Sequence, residues 1–212
     1  MSVLTDSLNQ IMRWLEENRP DYAASFLPGL SDAEIREKLA NVELELPEEI
    51  YELYRWRNGV EDGEDSKSLI FPCMEYMTLD EALEYYDDFL ENTIDIFDEQ
   101  DFQDIFELLD ANQINQYGNK KYLFPFYRSN CDFLAVLLSK EKQQHSPIIN
   151  INDVLELSFI YRNLTSMMQT LAEYLEAGAH YLDKEQEYYL NGDEEKMLPI
   201  FQKYNPELEL MT

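Results

Sequence analysis

Apolar residues recur at three- and four-residue spacing over residues 2–18, at Leu4, Leu8, Ile11, Met12 and Leu15, which predicts an amphipathic helix. Pro20 and the Pro28-Gly29 pair close that segment and read as a connector. Ser31 stands three residues before Glu34, a capping box, and Ile35, Leu39 and Val42 follow at helical spacing. The run from Glu45 to Gly59 reads as a third helix. Pro47 suits its first position, Glu48 and Glu49 complement the positive end of its dipole, and Asn58-Gly59 can supply the left-handed backbone that ends it. Leu69-Ile70-Phe71 suggests a short strand. Thr78 with Glu81 opens a helix to about Leu90, carrying Leu79, Leu83 and Tyr86 on one face.

Further along, the period changes. Residues 92–110 hold seven acids and no Lys or Arg, yet Phe102, Ile105, Phe106 and Leu109 still recur helically. Strands are predicted at Tyr122–Phe126, Phe133–Leu138, Pro147–Ile151 and Val154–Tyr161, the last by strict alternation. Asn163 or Thr165 then caps a helix through Leu175, closed by Gly178. A last helix spans Asp193–Tyr204, and Pro199 inside it should kink or split it. Helices, then a meander of strands, then helices make the class α+β: a mostly antiparallel sheet of about four to six strands with helices packed on one side, and helical extensions at both ends.

Composition narrows the function. The chain has 212 residues, with 44 Asp plus Glu against 16 Lys plus Arg, for a net charge of −28. Its 45% hydrophobic and 13% aromatic content argues for a packed core rather than acidic disorder. Nucleic acid is excluded as an expected partner, since binding phosphates takes clustered Lys and Arg. An anionic membrane surface is excluded on the same ground, and there is no apolar run long enough to span a bilayer. The charge would steer in a basic protein partner, and it also serves solubility. A start without a signal-peptide pattern and cysteines only at 73 and 131 suggest a cytoplasmic, reducing setting.

Candidate chemistry is sparse. Cys73, Cys131, His145 and His180 have no zinc-ligand spacing, so no metal is expected. Asp98 to Gln103 lacks the alternation and glycine of a calcium loop. With 6 glycines and no phosphate-binding loop or nucleophile elbow, no cofactor is expected. A catalytic acid pair would need one buried carboxylate, which a chain with 44 acids does not single out. The expectation is a binding protein with no catalytic residues, monomeric in the simplest case. His145 reads as a surface turn, His180 as a helix-end residue, and Met167-Met168 as core. The candidate partner-binding residues are the acids Glu61, Asp62, Glu64 and Asp65, and Asp95, Asp98, Glu99, Asp101 and Asp104. The second group could mimic a phosphate backbone and plug a nuclease's basic groove, with Phe97 or Phe102 as apolar anchor, or could be a solvated helix face.

Four stretches resemble one family. Leu46-Pro47 leading to Trp56, Asn58 and Gly59 is similar to the opening motif of the SUKH superfamily. Tyr122 to Phe126, with Pro125 and Phe126, resembles its aromatic-x-Pro-Phe strand. Cys131-Asp132-Phe133 resembles the next strand with Cys131 in a glycine position, and Asn163 to Leu182 resembles the closing helix of bacterial members. The resemblance implies a Smi/Knr-like domain over residues 31–182 with an acidic insertion at 92–116, an N-terminal helical extension at 1–30 and a C-terminal tail at 183–212. It implies an immunity protein that neutralises a cognate toxin, often a nuclease. The alternative is a regulatory or scaffolding domain with several weak partners.

Overall fold

The computed structural model describes residues 2–61, 74–88, 123–129, 132–152, 156–182 and 190–208. The chain opens with α1 (Val3–Asn18), whose N-cap Ser2 accepts a hydrogen bond from Thr5 N–H at 3.0 Å. Leu4, Leu8, Ile11, Met12 and Leu15 form its buried stripe, as their spacing requires. The connector is more structured than its prolines suggest. Pro20 opens the short helix α2 (Pro20–Ala24), and Phe26–Pro28 forms β1. Ser31 and Glu34 make the predicted capping box of α3 (Asp32–Lys38), followed by a 3-10 turn at Leu39–Asn41.

Helix α4 (Glu48–Trp56) begins one residue later than the pattern suggests, with Pro47 as its N-cap. Its end differs in kind. Arg57 is already extended, and Arg57–Val60 forms β2, antiparallel to β1. Gly59 does take a positive φ, +80°, but inside a strand rather than at a helix end. Close approach sets the requirement: a Cβ there would lie 2.5 Å from Thr78 N. Asn58 likewise serves another element, its Oδ1 accepting from Leu79 N–H at 2.9 Å at the start of α5 (Leu79–Asp88). Thr78 and Glu81 make the expected box ahead of α5.

Five strands form one antiparallel meander: β3 (Glu75–Tyr76), β4 (Leu123–Arg128), β5 (Phe133–Leu137), β6 (Ile148–Ile151) and β7 (Leu157–Tyr161), paired in that order. The register shifts between Pro125 and Tyr127, where a residue without an N–H interrupts the ladder. Burial is unbroken from Leu123 to Tyr127 and from Leu134 to Leu137, so residues on both faces of these strands are out of water. The expected strand at Leu69–Phe71 and the acidic helices after residue 92 lie outside the described residues.

Helix α6 (Leu164–Glu176) is capped by Asn163, with Met167 and Met168 buried as core. It packs along α1 and against α7 (Glu194–Tyr204), so the first helix docks on the body of the protein. Between α6 and α7, β8 (His180–Leu182) pairs with β9 (Leu190–Gly192). His180 is therefore a buried strand residue, not a helix end. Pro199 does not split its helix: α7 runs through it. Pro199 and Glu195, whose carbonyl would otherwise accept from residue 199, both lie on the exposed side of the helix. The core is rich in rings. Tyr76 stacks on Tyr127 at 5.2 Å, and Phe26 packs edge-on to Tyr22 and Trp56. The class is α+β, with a five-stranded antiparallel sheet and helices against it.

Candidate interaction surface

Helix α4 organises the polar chemistry of the molecule. Three of its carboxylates point to three different places. Glu52 accepts from Thr5 N–H at 3.0 Å and from the Ser2 and Thr5 hydroxyls, closing the N-terminus of α1. Glu49 is only 2% exposed and accepts from Thr165 N–H at 2.7 Å and from the Thr165 hydroxyl, in the first turn of α6. His145 Nδ1 lies 2.9 Å from that same Glu49 oxygen, and the hydrogen bond holds the imidazole's pKa above its ordinary value. The other Glu49 oxygen is buried without a partner among the described residues.

Glu48 faces outward between Arg55 and Lys142, with the Lys142 ammonium at 2.5 Å. Burial works to raise its pKa, but hydrogen bonds from Lys142 and Arg55 outweigh that and hold it below the usual carboxylate range. Lys142 belongs to the polar turn between β5 and β6. That turn is fastened to the start of α4 by backbone bonds: Glu45 N–H to Ser139 O at 2.9 Å and Glu48 N–H to Gln143 O at 2.8 Å. Between this turn, α3 and α4 lies a cleft of about 370 Å³.

Exposed acids are spread over the described surface, and α5 gathers four of them on one helix. Asp80, Glu84, Asp87 and Asp88 are exposed, and the helix contains no Lys or Arg. Lys38 meets Asp80 at 2.6 Å. Arg128 is spent beneath the helix, 3.2 Å from Glu75 and 3.4 Å from Glu81, and donates to the Tyr85 hydroxyl at 3.0 Å. Asp87 and Asp88 stand exposed in the last described turn of a helix that carries no basic residue.

Of the acids expected from sequence to meet a partner, Glu61 follows β2 and is exposed. Asp62, Glu64, Asp65, Asp95, Asp98, Glu99, Asp101 and Asp104 lie outside the described residues. The motif residues are placed by packing. Leu46, Pro47, Gly59, Pro125 and Phe126 are buried, and Trp56 is half-buried with its indole N–H donating to Asn9 Oδ1 at 3.0 Å. Glu49 escaped sequence reasoning because it sits where any helix favours an acid, and its true partner is 116 residues away. The outer face of α5 had a local signal, an acidic helix without a basic residue.

No three His, Cys, Asp or Glu side chains converge on a possible metal position among the described residues. Nor does any described helix have the length and apolarity to cross a membrane. The SMI1 / KNR4 family (SUKH-1) matches the chain over residues 29–176, well over half its length. No curated protein matches it.

Proposed function

The chain belongs to the SMI1 / KNR4 family (SUKH-1), and from that premise we propose that it works by binding rather than catalysis, as an immunity protein that occludes a basic toxin domain. The observation that carries this reading is the outer face of α5. There Asp80, Glu84 and Asp87 are exposed at three- and four-residue spacing on one helix that contains no Lys or Arg. Like charges at that spacing repel and cost stability, and sequences break a local rule of this kind where function demands it. A carboxylate-lined helix offers a basic groove what a phosphate backbone offers: regularly spaced negative charge on a rigid support. The chain's net charge of −28 adds long-range attraction. Apolar contacts would have to supply most of the affinity.

The test is direct binding of the purified chain to a panel of basic toxin domains, nucleases included, with the toxin's activity followed in parallel. A nanomolar complex that silences the toxin supports the reading. Several weak partners, lost on raising the salt, would instead indicate a scaffolding domain, and a tight acidic partner would overturn the proposal.

A further inference from the structure

We propose that the cleft between α3, α4 and the turn from Ser139 to Ser146 is a receptor for an arginine or lysine side chain of a protein partner, filled by Lys142 in the free chain. Its floor is the half-buried ring of Tyr51, with the Lys142 ammonium 4.3 Å from the ring centroid. Its wall is Glu48, 2.5 Å from the same ammonium. Its rim carries Glu45, an exposed carboxylate that makes no ion pair among the described residues. An aromatic face, one carboxylate in contact and a second in reserve form a cation site by chemistry alone. The cleft's 370 Å³ leaves room beside the lysine stem for a second long side chain.

The occupant is replaceable. The turn carrying Lys142 is held by backbone bonds at Ser139 and Gln143, so the side chain can swing into water without moving the main chain. A planar guanidinium stacks on a ring and forks to a carboxylate better than an ammonium does. Arg55 also borders the cleft, sharing Glu48 with Lys142 and meeting Asp32 at 3.6 Å. Arg36 is exposed on the α3 side, and it makes a carboxylate ligand the competing outcome.

The inference rests on the reading of this chain as a binder of basic proteins, and it is tested without one. Isotope-labelled wild type and Lys142→Met would be titrated separately with N-acetylarginine amide and N-acetylglutamate amide, following backbone amide shifts. Lys142 is exposed, so the variant keeps the fold. The arginine probe should move the amides of α4 and of residues 139–146, and should bind Lys142→Met about fivefold more tightly, since it no longer competes for the ring. Unmoved amides in both proteins, equal binding to both, or preference for the glutamate probe would each overturn the assignment. Failure here leaves the α5 reading standing, because that reading fails only against toxin domains.

Discussion

Glu49 of α4 caps α6 by accepting the Thr165 N–H at 2.7 Å, although the two residues are 116 positions apart. Asn163 Oδ1 accepts from Ser166 N–H at 2.8 Å and Ser166 Oγ from Asn163 N–H at 3.1 Å, so three of the four free amides of the helix start are met, two locally and one from across the fold. The pairing ties the family's opening helix to its closing one.

The cost of breaking that tie should far exceed that of removing its neighbour. Glu49→Ala strands two donors of Thr165 and the His145 ring, and should cost about 2–4 kcal/mol. Glu48→Ala removes a partly exposed ion pair and should cost about 0–1 kcal/mol. Urea unfolding of the two variants checks the contrast. Equal losses would mean that Glu49 is not the cap.

The two histidines should respond to pH in opposite directions. His145 gains an acidic partner, so its folded pKa lies above the unfolded value. The stability it lends is fully present below the unfolded pKa of about 6.5 and fades as pH rises through the folded one. His180 is buried against the Tyr174 ring at 4.8 Å, and burial pushes its pKa down to about 4. The unfolded chain takes up that proton first, so stability falls as pH drops from about 6.5 towards 4. Unfolding curves between pH 4 and 8 should show His180→Phe removing the acid-side loss and His145→Gln removing the fading above neutrality.

Gly59→Ala should destabilise the protein by about 2 kcal/mol or more, since it adds a Cβ to a positive-φ residue packed on backbone. By contrast, Gly178 has φ +59° with open space around it, so Gly178→Ala should cost only the backbone strain of about 1 kcal/mol. Thermal unfolding of both variants separates close approach from conformation.

Much of the frame was legible because its signals are local. The stripe of α1, the Ser31–Glu34 and Thr78–Glu81 boxes, and the alternating strands each declare themselves within a few residues. What escaped was set by distant neighbours. Asn58-Gly59 looks like a helix stop until α5 is seen to lean on it. Pro199 looks like a break until its turn is found facing water. The candidate site was legible only as chemistry. Net charge pointed to a basic partner, but which acids stand together on α5, and that Lys142 lies over Tyr51, depend on packing.

Asp87→Lys should part stability from function. Replacing the like-charge pair with Glu84, three residues earlier on the helix, by an opposite-charge pair should stabilise the fold by about 0.5 kcal/mol. The same change, together with Glu84→Lys, should slow association with a basic partner. A surface kept only for solubility would show the first effect without the second.

The most direct measurement is therefore the association rate of a tightly bound basic toxin domain with wild type and with Glu84→Lys/Asp87→Lys, at low and high salt. The account predicts a rate about tenfold or more slower for the variant at low salt, with the difference shrinking as salt rises. Equal rates at low salt would contradict it and remove α5 from the binding surface.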